Sequence, residues 1–149
     1  MWGIDEAHTF LYYFPRDCPR VVCWSLPGTS EADRTRFFGQ TAARAIVAVE
    51  GAWLERIAAN RLYVYRLPTE SFTPVVPEGD PRFHGVYLSQ ETVTPLSVAP
   101  VGDLLTALRD ADVEIRVTPS LWPFWDAVVA STVHFSGIRL RNALPLLQA

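Results

Sequence analysis

The sequence predicts an α+β fold, a single compact domain with a mixed, mostly antiparallel sheet and about four short helices. The chain has 149 residues, 49% of them hydrophobic and 19% charged, which suffices to bury one core. Segments of alternating hydrophobicity, typical of strands, occur between segments of helical periodicity. Some of these strands follow one another as in hairpins and others flank helices, which favours α+β over a purely parallel, doubly wound sheet.

Caps and chain breakers define the elements of the first half of the chain. Phe10 and Phe14 lie at helical spacing after Asp5, a residue type that caps helices, so a short helix is predicted there. Pro15 ends this helix. The same signals predict strands and helices along the rest of this half, with strands over 21–24, 43–49, 62–67 and 72–76 and helices over 31–38 and 51–59.

The second half begins with a stretch rich in proline and glycine at 77–83, which predicts a surface loop inside the single domain that spans 1–149. Leu104 and Leu108 belong to an apolar stripe with helical spacing, and Ser120 is placed to cap a last helix that ends near residue 132. Strands are predicted over 85–88, 93–98, 113–117 and 135–140. We expect the five tryptophans and five tyrosines to enrich the interior.

Charge and composition exclude several classes of protein. The formal net charge is -3 and the sequence has no basic run, which argues against binding duplex nucleic acid by phosphate neutralisation. No apolar run approaches the roughly 20 residues of a membrane span, and the first residues lack signal-peptide features. We therefore expect a cytoplasmic protein without a membrane partner.

The cysteines and histidines do not have the spacing of a metal site. Cys18 and Cys23 have no second Cys/His pair at zinc-finger spacing, and the histidines are scattered singly along the sequence. We expect no bound metal. Cys18 lies between two arginines that lower a thiol pKa, and His8 on the preceding helix is a candidate base, so a cysteine-dependent hydrolase is one hypothesis. The alternative is a proline-bounded structural turn.

The last predicted strand carries a second candidate site. His134, Arg139 and Arg141 recur at spacings that partly share a sheet face, and guanidinium groups bind phosphate or carboxylate through charge-assisted hydrogen bonds. This pattern predicts binding of a small anionic ligand. The alternative is a solvated edge strand whose charges discourage aggregation.

A third candidate is Glu91, in the polar stretch between two predicted strands. A glutamate on such a loop can act as a general base or hold a ribose hydroxyl. An ordinary polar turn is the alternative. The sequence contains neither the P-loop motif nor the Gly-x-Gly-x-x-Gly fingerprint, so it shows no standard nucleotide-binding signature.

Four segments of the sequence resemble an uncharacterised bacterial family that is known only as a domain of unknown function. They are Trp-Gly-Ile-Asp-Glu at 2–6, Pro-Arg-Asp-Cys-Pro-Arg at 15–20, Ala-Val-Glu-Gly-Ala-Trp-Leu at 48–54 and Pro-Ser-Leu-Trp-Pro at 119–123. The resemblance extends over nearly the whole chain and implies no particular activity.

Members of that family often carry a histidine-bearing strand before the position that matches Trp2. With it, the order of elements faintly resembles mono-ADP-ribosyltransferases, which place a His/Tyr/Glu set around NAD. The resemblance implies that Tyr12 or Tyr13 stacks on nicotinamide and that Glu91 holds the ribose hydroxyl, while the histidine has no match in this sequence.

Together these patterns predict a domain that binds a small anionic or nucleotide-like ligand, NAD included, with ADP-ribosyltransferase-like chemistry as one option. A non-catalytic interaction module, such as a homodimer, is the main alternative. The sequence leaves open whether the protein is an enzyme.

Overall fold

A computed structural model describes residues 1–78, 80 and 83–145 of the chain, and its fold is α+β. Its strands are β1 (Trp2–Ile4), β2 (Arg20–Trp24), β3 (Ala45–Glu50), β4 (Tyr63–Arg66), β5 (Thr73–Pro74), β6 (Val86–Leu88), β7 (Ser97–Pro100), β8 (Val113–Thr118) and β9 (His134–Ile138). The α-helices are α1 (Glu31–Phe38), α2 (Leu54–Ala59), α3 (Leu104–Asp110) and α4 (Trp122–Val129). Three 3₁₀ helices span Glu6–Tyr12, Gly51–Trp53 and Leu140–Asn142.

The main sheet has the strand order β8-β3-β2-β9. β2 runs antiparallel to both β3 and β9, whereas β3 and β8 are parallel, so the sheet is mixed as predicted. Every residue of β2 and β3 is buried. The apolar runs at 21–24 and 45–49 within them therefore reflect a central pair of strands that is covered on both faces.

Each face of the main sheet is covered by a different set of helices. The first 3₁₀ helix, α2 and α3 cover one face, where Phe10, Ile57 and Leu108 pack against alternate residues of β2 and β3. On the other face, Phe37 of α1 and Val128 of α4 pack against the intervening strand residues. This alternation follows from the two-residue period of a strand.

Two smaller sheets complete the fold, one with the order β1-β6-β5 and one formed by β4 and β7 alone. The exposed fractions of Tyr63 and Tyr65 on β4 are 61% and 57%. The expectation that tryptophans and tyrosines enrich the interior does not hold for these two, whereas Trp53, Trp125 and Tyr13 are partly buried and pack against the core. Trp24 is the buried member of the set among the described residues, because it alone lies on a central strand.

Several predicted boundaries shift in the structure. The strand predicted over 93–98 is β7, which begins only at Ser97, and Val93 is a buried loop residue. The predicted last helix ends at Val129. The surface loop predicted at 77–83 includes residues 79, 81 and 82, which lie outside the described residues. No helix in the described part of the chain has the length and apolar character needed to cross a membrane.

Candidate functional site

An open cleft of about 530 Å³ lies where the first 3₁₀ helix, the start of β2 and the end of β9 meet. Two of the predicted ligand-binding residues, Tyr12 and Arg139, line it. The full lining consists of Tyr12, Phe14, Arg16, Arg20, Leu62, Gly137, Ile138 and Arg139. We refer to this site as the arginine cleft.

Arg20 is the buried cation of the arginine cleft, with only 3% of its surface exposed. Its Nε donates to the Leu11 carbonyl at 2.8 Å and its Nη1 to the Cys18 carbonyl at 2.9 Å. Burial lowers the pKa of Arg20 to about 10, so the guanidinium remains charged at neutral pH. Its carbon Cζ lies 4.9 Å from the centre of the Phe14 ring, a cation–π contact that helps to hold the charge in place.

Arg139 also lines the arginine cleft and comes directly after β9. Its φ of 55° and ψ of 30° place it in the left-handed region, which is uncommon for a residue other than glycine. Nε of Arg139 donates to the Arg16 carbonyl at 3.3 Å, and Nδ2 of Asn142 donates to the Asp17 carbonyl at 2.8 Å. These two bonds fasten the turn before β2 to the end of β9.

The charge of the arginine cleft is one-sided. Arg16, Arg20 and Arg139 line it, and its lining contains no aspartate or glutamate. None of the ion pairs found among the described residues involves these three arginines. Because guanidinium groups without carboxylate partners create a positive potential, the cleft is suited to bind an anion. Tyr12, half-exposed at the rim, adds an aromatic face.

Three other predicted ligand-binding residues lie outside the lining of this cleft, namely Tyr13, His134 and Arg141. Tyr13 is half-buried, packs against the core and donates its hydroxyl to Oγ1 of Thr9 at 3.2 Å. Arg141 is exposed on the third 3₁₀ helix. Of the two tyrosines that the resemblance offered, Tyr12 is the one at the cleft.

Glu91 is exposed in the loop after β6, and its backbone N–H donates to Oγ of Ser89 at 3.1 Å. It does not line the arginine cleft, and no described contact joins it to Tyr12 or Tyr13. The general-base role of Glu91 therefore stays a prediction from the sequence.

Cys18 is fully buried, and its thiol donates to the Pro19 carbonyl at 3.6 Å. Burial raises the pKa of Cys18 to about 11, which outweighs the lowering by Arg20 and Arg56. The thiol is thus protonated at neutral pH. The ring of His8, its predicted base, is bonded to Asp5 instead. The hypothesis of a cysteine nucleophile gains no support from this arrangement.

The three histidines of the chain come together around Trp24, and we call this group the histidine cluster. The ring centroids of His134, His84 and His8 lie 4.6, 5.5 and 5.9 Å from that of Trp24. His134 opens β9 and is paired with Trp24 across the strands, whereas His84 precedes β6 and His8 belongs to the first 3₁₀ helix. Sequence reasoning missed the cluster because these elements are far apart in the chain.

Asp5 fixes the orientation of His8. One carboxylate oxygen, Oδ1, accepts the backbone N–H of His8 at 2.9 Å and lies 2.7 Å from ring atom Nδ1. An ionised carboxylate can only accept a hydrogen bond, so Nδ1 of His8 is the donor and carries the hydrogen. Gly85 packs directly on this pair, because a Cβ at that position would lie 2.4 Å from Nδ1 of His8 and 2.6 Å from both Asp5 oxygens.

His84 and His134 contact each other directly, with Nδ1 of His84 2.8 Å from Nε2 of His134. Burial, together with the neighbouring His84 and His8, lowers the pKa of His134 to about 4. Burial also lowers the pKa of His84. Both rings are therefore neutral at pH 7 and share one hydrogen bond. Within the described residues, no group of three or more histidine, cysteine, aspartate or glutamate side chains is arranged to hold a metal ion.

The structure thus defines an α+β protein with a positively charged surface cleft. The model of the family of unknown function DUF6886 matches residues 1–143, so the chain belongs to that family. Comparisons with curated proteins and with solved structures gave no match. The family membership agrees with the resemblance to an uncharacterised domain, and nothing in the comparisons adds to the resemblance to mono-ADP-ribosyltransferases.

Proposed function

We propose that the arginine cleft binds a small anionic, nucleotide-like ligand. The observation that carries this proposal is the convergence of Arg16, Arg20 and Arg139 in one cleft whose lining contains no carboxylate. In such a site, the phosphate oxygens of a ligand take the place of carboxylate partners. Planar guanidinium groups bind these oxygens through paired hydrogen bonds.

The non-ionic part of the ligand is expected at the rim of the arginine cleft. Tyr12 and Leu62 line the cleft together with the arginines, so an aromatic ring and an aliphatic side chain adjoin the charged wall. Tyrosine rings stack on flat aromatic groups such as nucleobases. The cleft volume of about 530 Å³ falls within the usual range of small-molecule sites.

A thermal-shift screen with ADP, NAD and inorganic phosphate tests the proposal. At about ten times the dissociation constant, a ligand stabilises the folded state by about 1.4 kcal/mol. For a chain of this size, such a gain raises Tm by about 3–6 °C. We expect stabilisation by ADP or NAD that is lost in the Arg16→Ala/Arg139→Ala double variant.

The matched control is Arg109→Ala, since Arg109 is an exposed arginine on α3 that pairs with Asp110 and does not line the cleft. This variant should keep the full ligand response. Absence of any shift at millimolar ligand, or an equal loss of the shift in the control, would overturn the proposal.

ADP-ribosyl transfer from NAD is a separate prediction, which rests on the sequence resemblance and on Glu91. It is tested by NAD hydrolysis with the wild type and with Glu91→Gln, whose side chain keeps the shape and loses the charge. Turnover that Glu91→Gln abolishes, with unchanged NAD binding, would support transfer chemistry. Binding without turnover would leave the ligand-binding proposal intact and remove the transferase prediction.

The non-catalytic homodimer also stays a prediction. The feature that bears on it is the β4–β7 pair, on which Tyr65 and Val98 are directly paired and both more than half exposed. Sedimentation velocity over a range of protein concentrations tests it directly. A monomer at every concentration would remove this alternative.

A further inference from the structure

The contact between His84 and His134 joins two sheets that share no strand. His134 belongs to the main sheet, and His84 lies in the segment 83–85 that leads into the three-stranded sheet β1-β6-β5. The rings meet at 2.8 Å over the indole of Trp24. Two titratable side chains therefore contribute to the contact between the main sheet and the β1-β6-β5 sheet.

The carboxylates of Asp5 and Glu78, in the elements next to this pair, are each engaged by another side chain. The first 3₁₀ helix and its cap contribute His8 and Asp5, and the Asp5 carboxylate is already engaged by His8. Trp24 of β2 and Phe83 contribute uncharged rings. On β6, Tyr87 donates its hydroxyl to Glu78 at 2.6 Å, so that carboxylate is also engaged.

We propose that His84 and His134 form an acid-sensitive clasp, which holds the segment 83–85 on the main sheet while the rings are neutral and releases it when both are protonated. A hydrogen bond between two imidazoles needs an N–H on one ring and a lone pair on the other. Two imidazolium rings have only N–H groups, so they cannot bond. They would also place two positive charges 2.8 Å apart.

The direction of the pH effect follows from burial. Burial lowers the pKa of both rings below the ordinary value of 6.5, to about 4 for His134. The open form, with solvated rings near 6.5, binds more protons than the closed form. The clasp is therefore at full strength above pH 6.5 and weakens as the pH falls towards about 4.

Opening would uncover Trp24 and the Asp5–His8 pair. Trp24 is 8% exposed in the closed form, and the side chains of His8 and Asp5 are 20% and 29% exposed. Because Gly85 packs on Asp5 and His8, release of the segment also removes the lid over that pair. The clasp thus controls solvent access to the histidine cluster, independently of ligand binding in the arginine cleft.

Nitrogen-15 NMR of the imidazoles tests the clasp at its source, since the chain has only three histidines and all belong to the cluster. We expect His134 to titrate near 4 and His84 below 6.5. In His84→Asn, which cannot become charged, the pKa of His134 should rise towards 6.5. Titration of His134 near 6.5 in the wild type, or a pKa unmoved by His84→Asn, would overturn the clasp.

Hydrogen exchange tests the opening itself. After correction for the intrinsic pH dependence, amides of residues 83–88 in the wild type should exchange at least about tenfold faster near pH 4 than at neutral pH. Amides of α3 and β8 serve as the internal control and should keep their protection. In His134→Gln the segment should be open at both pH values. Equal protection of the segment at both pH values in the wild type, or an undiminished acid response in His134→Gln, would contradict the proposal.

Discussion

The arginine cleft and the histidine cluster lie at opposite ends of the same strand pair, and they differ in the charge that they hold. In the register of β2 and β9, Arg20 is opposite Ile138 and Trp24 is opposite His134. At one end, permanently charged guanidinium groups line an open cleft. At the other, the neutral imidazoles of His84 and His134 pack around an indole. The first arrangement suits an anion from solution, and the second responds to protons.

This difference shows how one strand pairing produces two kinds of site. Arg139 follows the last residue of β9 and lines the cleft together with Arg20, whereas His134 is the first residue of β9. Because of the antiparallel register, the arginines lie at one end of the β2–β9 pair and the histidines at the other. Changes to each end should therefore have separable effects.

Arg20→Met is expected to have the largest effect. The substitution removes the guanidinium N–H groups that donate to the Leu11 and Cys18 carbonyls. Both carbonyl oxygens are buried and would be left without these hydrogen bonds. At about 1–3 kcal/mol for each unsatisfied buried group, we expect the free energy of unfolding to fall by about 3 kcal/mol. Urea denaturation measures it. Arg16→Met is the control, because Arg16 is exposed, and a similar loss there would contradict the structural role assigned to Arg20.

Gly85→Ala acts at the histidine cluster and should lower the free energy of unfolding by about 2 kcal/mol or more. A φ of 72° costs a residue with a Cβ about 1–2 kcal/mol, and the new methyl group would displace Asp5 and His8. Gly102→Ala is the matched control, since Gly102 has a φ of 85° with nothing within 4 Å of its Cβ position. In urea denaturation, equal losses in the two variants would show that the packing of Gly85 on the Asp5–His8 pair contributes nothing.

The histidine cluster and the carboxylates should affect the free energy of unfolding over different pH ranges. Because the pKa values of His84 and His134 are lowered in the folded state, stability should decline as the pH falls from 6.5 towards about 4. Hydrogen bonds from Thr132 and Thr106 lower the pKa of Asp33 and Asp103, so their contribution is lost only below 3.8. In chemical denaturation at a series of pH values, His134→Gln should flatten the first decline and leave the second unchanged.

The smallest effect is expected from a thiol reagent. Burial raises the pKa of Cys18 to about 11 and that of Cys23 to about 12, and both side chains are buried. Neither thiol should react at neutral pH faster than the protein unfolds. Rapid labelling of Cys18 in the native state, followed by absorbance, would restore the hypothesis of a cysteine nucleophile.

The sequence predicted the parts of the fold that local signals control. Asp5 caps its helix as expected, since its side chain accepts an N–H group from the first turn. β3 was predictable as a strand from its run of apolar residues at 45–49. β1 was not predicted, because three residues carry too little periodicity and the strand forms only by pairing with β6.

The candidate sites were less predictable, because they depend on strand register. Tyr12 was identified from a family resemblance and Arg139 from residue type and spacing, and both line the arginine cleft. Arg20 was considered only as a neighbour of Cys18, and its place in the cleft follows from its pairing with Ile138. His84 and His134 are 50 residues apart, so no local pattern indicates that their rings meet.

The central claim, that the arginine cleft binds a nucleotide-like anion, is tested most directly by isothermal titration calorimetry with ADP at low and high salt. We expect binding that weakens as salt screens the guanidinium charges and that falls by about tenfold in Arg139→Ala, equivalent to about 1.4 kcal/mol. Arg109→Ala should bind as the wild type does. Absence of binding at low salt, or an affinity that neither salt nor Arg139→Ala changes, would contradict the claim.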